Sequence, residues 1–107
     1  MGISEIGFSF DVKGSAVNRG RSRVWLERKE LVDYGFSRGQ LIDVEFNASS
    51  IVVRLNPEGR RKVAGKADRP ILDLCSPLVD HAARFGGADR LAVSVSYGFI
   101  IITAKES

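Results

Sequence analysis

Basic side chains are the residues of this chain whose type and spacing could do chemistry. The 107 residues include 16 Lys and Arg against 13 Asp and Glu, a formal net charge of +3. Basic residues crowd into two segments, 13–29 and 60–69, where the only acidic residues are Glu27 and Asp68. Arginine presents a planar fork of donors that fits phosphate oxygens and guanine edges. The pattern favours a duplex nucleic acid as partner, and a solvated Arg-rich connector is the alternative for either segment alone.

The charge pattern selects ten basic residues as candidate DNA contacts. They lie in the two segments or in the turn that follows the first of them. The set is Arg19, Arg21, Arg23, Arg28, Lys29, Arg38, Arg60, Arg61, Lys62 and Lys66. If they act through phosphates, binding should weaken steeply with salt.

The other reactive residue types form no catalytic constellation. His81 is the only histidine and Cys75 the only cysteine, so neither has the partner that a metal site or a nucleophilic pair needs. Asp73 and Asp80 flank the start of a predicted helix, where capping explains them. Trp25 could stack on a base or pack in the core or an interface. We expect no enzyme, no cofactor and no metal.

Composition places the chain among small globular proteins. Its length suits one domain with a modest core. No apolar run is long enough to span a bilayer, and the first residues do not resemble a leader. The single cysteine fits a reducing compartment. We expect a cytoplasmic protein with no membrane partner.

The elements that must position the basic residues occur twice in the chain. Leu31 and Leu78 are 47 residues apart, and after a two-residue insertion the offset becomes 49. The pairs at that offset are Phe36 and Phe85, Val44 and Val93, Ile51 and Ile100, and Val53 and Ile102. A unit of this size cannot bury its own apolar face, so two copies should cover each other across a pseudo-twofold axis. These residues are therefore predicted to occupy equivalent buried positions.

Apolar alternation and turn residues predict strands with one short helix in each unit. The predicted strands are 6–12, 24–26, 41–46, 51–55, 70–74, 91–96 and 99–104. The first helix spans 28–34 and ends at Gly35; the second begins at Ser76 and ends at Gly86-Gly87. Residues 14–22 are predicted to form a mobile loop.

These elements divide a single domain, 1–107, into four parts. Residues 1–20 form an N-terminal strand and basic loop, and 21–57 the first βαββ repeat. A basic linker, 58–68, leads to the second βαββ repeat, 69–105.

Several motifs resemble the AbrB-type swapped-hairpin family over residues 20–104. They are Leu26-Glu27-Arg28-Lys29-Glu30-Leu31, Gly35-Phe36, Arg38-Gly39, Val44-Glu45 and Ile51-Val52-Val53-Arg54-Leu55-Asn56-Pro57. Trp25-Leu26-Glu27 brings the first unit closer to the SymE-like branch. Lys62-Val63, Gly65-Lys66 and Pro70-Ile71-Leu72-Asp73-Leu74 resemble the join between tandem copies in small prophage-type proteins and in the N-terminal extension of some bacterial DNA cytosine methyltransferases. Glu27-Arg28 replaces the proline that commonly opens the family's helix, and the second unit has fewer arginines.

The resemblance implies a mostly β fold, a small tandem swapped-hairpin barrel with one short helix per repeat and pseudo-twofold symmetry. It implies duplex DNA binding, with Arg21 and Arg23 matching the family's arginines before the first strand, and a role as a regulator from a phage or other mobile element. The second half would then be mainly structural.

Two other functions remain open. One is a protein-binding module, either an inhibitor of a host defence complex or an accessory to a DNA-modifying enzyme; the other is a SymE-like toxin. Whether the basic residues share one face separates DNA binding from protein binding. The chain could be a monomer with an internal pseudo-dimer or a homodimer.

Overall fold

Ten β-strands and one short helix make up the described part of the chain. The computed structural model describes residues 7–13, 16–18, 21–47, 50–75 and 90–104. The strands are β1 Phe8–Lys13, β2 Ala16–Asn18, β3 Arg21–Glu27, β4 Leu41–Phe46, β5 Ser50–Leu55, β6 Arg61–Lys62, β7 Ala64–Lys66, β8 Arg69–Cys75, β9 Arg90–Ser96 and β10 Phe99–Ala104. A 3₁₀ helix, Lys29–Tyr34, follows β3. The mostly β prediction is confirmed.

The strands form two antiparallel sheets. The six-stranded sheet has the order β1-β9-β10-β5-β4-β6, and the four-stranded sheet the order β2-β3-β8-β7. The prediction of a barrel is wrong: among the described strands no ladder joins the edges of one sheet to the edges of the other. The edge strands are short, except for β1, the first described strand. The two sheets enclose one core.

Two segments predicted to be irregular contain strands. The predicted loop 14–22 includes β2 and the start of β3, and the predicted linker 58–68 includes β6 and β7. Val63, between β6 and β7, is 1% exposed and lies in the core. Backbone hydrogen bonds also hold Val63 in place: Val63 N–H donates to Gln40 C=O, and Gly39 N–H donates to Val63 C=O. The charge pattern of this segment gave no sign that Val63 is buried.

The predicted first helix is present as a 3₁₀ helix over Lys29–Tyr34. Gly35 ends it at φ 92°, a left-handed conformation that an L side chain rarely adopts. Phe36 N–H then donates to Leu31 C=O, and the Phe36 ring is fully buried. The predicted second helix, with Ser76, Asp80, Phe85 and Gly86-Gly87, lies outside the described residues.

Strand pairing shows that the repeat is longer than the sequence pattern indicated. Each unit contributes five strands, β1 to β5 and β6 to β10, and counterparts occupy mirrored places in both sheets. The six-stranded order reads the same from either edge when β1, β4 and β5 exchange with β6, β9 and β10. The four-stranded order does so when β2 and β3 exchange with β7 and β8. The predicted linker is therefore the counterpart of the N-terminal strands.

The strand register shows the equivalence of the two units for individual residues. Ile42 pairs with Leu55 in the first hairpin, and Leu91 pairs with Ala104 in the second, each 49 residues later. The hairpins meet at β5 and β10, where Val52 pairs with Ile101, its own counterpart. In the four-stranded sheet the offset is 48, and there Trp25 pairs with its counterpart Asp73.

Among the described members of the predicted core pairs, all but one are buried. The buried members are Leu31, Phe36, Ile51, Val53, Val93, Ile100 and Ile102. Val44 is only half-buried, so its predicted equivalence to Val93 in burial is wrong. The cause is at the sheet edge: β1 pairs with β9 from Arg90 to Val95, whereas β6 pairs only with Leu41 and Ile42 of β4.

Candidate nucleic-acid interface

The outer face of the four-stranded sheet carries one group of basic positions. Within β3, Val24 and Leu26 are buried, so the alternate positions belong to the opposite face of the strand. Those alternate positions are Arg21, Arg23, Trp25 and Glu27. For Arg21 and Arg23 the structure describes the backbone alone, and their register places them in one row with Trp25.

Trp25 is exposed at the centre of this face. Its side chain is 43% accessible, and its Nε1–H donates to Glu27 Oε1 at 3.0 Å. A core role, one of the interpretations its sequence left open, is therefore wrong. Base stacking and packing at an interface remain for this ring.

Arg69 and Lys66 extend the basic character to the other end of the face. The two residues pair between β7 and β8, and both are exposed. Arg69 Nη1 lies 3.9 Å from Glu27 Oε2, a long contact between exposed groups that leaves the guanidinium in solvent. Arg69 is the counterpart of Arg21 at the offset of 48. The repeat thus puts an arginine at each end of the sheet, with Trp25 and Asp73 between them.

Arg69 was absent from the predicted set. Two signals in the sequence could have found it: the alternation through Pro70, Leu72 and Leu74, and the offset from Arg21. The alternation separates a row of buried side chains from the opposite row, which begins with the exposed Arg69.

A second basic group lies at the free end of the six-stranded sheet. Arg38, Arg60 and Lys62 are exposed there, and Lys62 pairs with Leu41 of β4. Arg61 is half-buried, with its guanidinium carbon 5.6 Å from the centroid of the Phe46 ring. The described members of the predicted basic set therefore do not share one face, so by this criterion the full set does not favour DNA binding over protein binding. Arg21, Arg23 and Lys66 belong to the four-stranded sheet, and Arg38, Arg60, Arg61 and Lys62 lie at the edge of the six-stranded sheet.

Arg28 holds the start of the helix against β1. Its guanidinium carbon lies 4.3 Å from the Phe10 centroid and 5.9 Å from the Phe8 centroid. Its Nε lies 3.7 Å from Glu30 Oε1 and is shielded from solvent. A cation over stacked aromatic rings explains this arginine by packing, since the rings and the guanidinium desolvate each other. Lys29 beside it is exposed.

Several predicted residues fall outside what the structure describes. Arg19 and His81 lie outside the described residues, and so does the side chain of Cys75. Asp80 is also outside them, so the capping assigned to it stays a prediction. Asp73 is exposed on β8 opposite Trp25.

Within the described residues, no three His, Cys, Asp or Glu side chains come together as metal ligands. The same part of the chain holds no helix with the length and hydropathy to cross a bilayer. Comparison with protein-family models, with curated proteins and with solved structures found no match for the chain.

Proposed function

We propose that the chain is a duplex DNA-binding protein of the AbrB-type swapped-hairpin kind, acting as a regulator from a phage or other mobile element. The observation that carries this proposal is the outer face of the four-stranded sheet. Arginine positions lie at both ends of this face, with an exposed tryptophan between them. The repeat makes the two ends equivalent. Duplex DNA presents two symmetric backbones, so a surface with two related basic ends suits it.

The exchange of strands between the units supports the family assignment. β1 of the first unit pairs with β9 of the second, and β6 of the second unit pairs with β4 of the first. Each hairpin thus pairs with a strand from the other unit, over six residues in the second hairpin and two in the first. A pseudo-twofold axis through the Val52–Ile101 and Trp25–Asp73 pairs accounts for both sheets at once.

The proposed mechanism assigns backbone contacts to the ends of the face and base contacts to its centre. Arg21, Arg69 and Lys66 neutralise phosphates and release counterions, which fixes the protein on the duplex. Arg23 and Trp25 lie nearest the axis, where an arginine fork and an indole can contact base edges. The second basic group, Arg60 to Lys62 with Arg38, extends the positive field beside the duplex.

Fluorescence anisotropy with a labelled random duplex at a series of salt concentrations tests the proposal. We expect binding at low salt and a steep fall in affinity with rising salt. Replacing Arg21, Arg23 or Arg69 singly by Ala should lower the slope of log affinity against log salt by about one unit each. The same substitution at Arg60, Arg61 or Lys62 tests the second group.

Arg90→Ala is the matched control, because Arg90 is an exposed arginine on the six-stranded sheet outside both groups. Its salt slope should stay near that of the unchanged protein. Absence of binding at low salt would contradict the proposal. So would binding that survives the combined Arg21→Ala, Arg23→Ala and Arg69→Ala variant.

A further inference from the structure

Among the described strands, the outer edge of β4 is largely unpaired, whereas the outer edge of its counterpart, β9, pairs with β1. β1 pairs with β9 over six residues, from Phe8 with Val95 to Lys13 with Arg90. On β4 the corresponding strand, β6, pairs with Leu41 and Ile42 only. Within the described residues no strand covers β4 from Asp43 to Phe46, and we call this stretch the open edge.

The connection between the two units explains the open edge. The counterparts of Phe8 to Asp11 are residues 57–60, which join β5 to β6. Gly59 N–H donates to Asn56 C=O, and Glu58 N–H to Asn56 Oδ1, so this segment turns sharply. It cannot lie extended along β4 and also make that turn.

The backbone groups at the open edge follow from the ladder between β4 and β5. Asn47 N–H donates to Ser50 C=O, and Asn56 N–H donates to Leu41 C=O. These bonds assign residues 41, 43, 45 and 47 to the β5 side. Because an antiparallel ladder alternates, Val44 and Phe46 direct their N–H and C=O groups to the open edge. An unpaired row of this kind is a template for another strand.

The side chains at the open edge are less buried than those at the closed edge. Val93 and Val95, beneath β1, are 0% and 3% exposed, whereas their counterparts Val44 and Phe46 are half-buried. A shallow cleft of about 290 Å³ lies at this place, lined by Ile42, Asp43, Val44, Asn56, Glu58, Arg60 and Arg61. At the closed edge, Phe8 and Phe10 cover the corresponding valines.

We propose that the open edge binds an extended segment of a partner protein, which adds an antiparallel strand to the six-stranded sheet. The segment has apolar or aromatic residues at alternate positions, as β1 has, to cover Val44 and to displace the Arg61 guanidinium from the Phe46 ring. Between them it has Lys or Arg, because Asp43 and Glu45 form the outward row of β4. This site is separate from the outer face of the four-stranded sheet, but Arg60 and Arg61 of the second basic group line its cleft.

The same charges argue against a second copy as the occupant. Two β4 edges paired across a twofold axis would bring Asp43 and Glu45 of one chain beside those of the other. In the register seen at the closed edge, β1 of a second copy would place Asp11 opposite Asp43. Like charges directly opposite each other destabilise a strand pair.

A synthetic peptide tests the proposal with the intact protein. The probe is acetyl-Gly-Phe-Lys-Phe-Lys-amide, which keeps the aromatic spacing of the strand at the closed edge and ends before the position opposite Ile42, where Arg61 of β6 already pairs. Titration should shift the NMR signals of Val44 and Phe46 and slow the exchange of their amide protons. Methylating the peptide nitrogens that face β4 should weaken binding about tenfold or more, because two ladder hydrogen bonds are lost.

Charge reversal supplies a matched pair of variants. Glu45→Lys should weaken binding of the lysine peptide about fivefold or more, and a peptide with Glu at the two Lys positions should then bind better. Ser94→Lys, at the counterpart position beneath the closed edge, should leave binding unchanged. Both sites are exposed, and the Glu45–Arg54 ion pair that the first variant breaks is on the surface, so both variants should fold.

Three results would overturn the proposal. One is no binding of the peptide at millimolar concentration. Another is equal loss of binding in the Glu45 and Ser94 variants. The third is slow exchange of the Val44 and Phe46 amides without peptide in a dimeric protein, which would make a second copy the occupant.

Discussion

The two hairpins, β4–β5 and β9–β10, have the same register and different surroundings. In both, three inward pairs of apolar residues face the core, and the two sets are 49 residues apart. β1 covers the outer strand of the second hairpin, and a two-residue strand covers that of the first. Burial therefore depends on the neighbouring strand as well as on the residue. When two units are joined in tandem, the connecting segment breaks the symmetry, because it must act both as an edge strand and as the link between the units.

The largest expected effect concerns the aromatic residue after each predicted helix. Phe36 is fully buried, so Phe36→Ala should lower the free energy of unfolding by about 3–5 kcal/mol. If the units match here, Phe85→Ala has a similar effect. Urea unfolding followed by far-UV circular dichroism measures both.

The matched aromatic control is Tyr97→Ala, because Tyr97 is 66% exposed. Its effect should stay within about 0.5 kcal/mol. A tolerant Phe85 would show that the units share sequence and differ in energetic role.

The next effect tests the equivalence at the centre of the six-stranded sheet. Ile51 and Ile100 are counterparts beside the Val52–Ile101 pair, and both are fully buried. Each replaced by Ala should cost about 2–5 kcal/mol, from lost burial plus the cavity left behind. The two costs should agree within about 1 kcal/mol in the same unfolding measurement. Costs that differ by more than twice that margin would contradict equivalent packing.

The smallest effect tests the difference between the two edges. Val93→Ala removes two fully buried methyl groups and should cost about 2 kcal/mol or more. Val44→Ala removes half-buried ones and should cost about half as much. Thermal unfolding at several urea concentrations resolves such a difference. Equal costs would mean that the edge of β4 is covered in solution.

Much of the fold was predictable because strand patterns are local. The bounds of β4 and β10 were predicted without error, and those of β5, β8 and β9 within one residue at either end. The turn at Gly35 was predictable too, since a left-handed conformation favours glycine. The repeat offset of 49 also appears in the register of both hairpins.

The candidate site was less predictable, because charge along a chain does not specify a face. Arg61 and Arg28 occur in basic segments, yet one lies against Phe46 and the other against Phe10. Arg69 joins the site through its row on β8, which the alternation of Pro70, Leu72 and Leu74 already indicates. The described members of the predicted basic set therefore divided into two groups, with Arg28 and Lys29 in neither.

Local patterns in the sequence decided which residues form strands, which of their faces is apolar, and that the chain contains two related units. Tertiary structure alone decided that the predicted linker is the counterpart of β1 and β2, and that the two sheets stay open. It also decided that Val44 is less buried than Val93. Alternation is a property of neighbours in the chain, whereas pairing and burial depend on strands that are far apart in sequence.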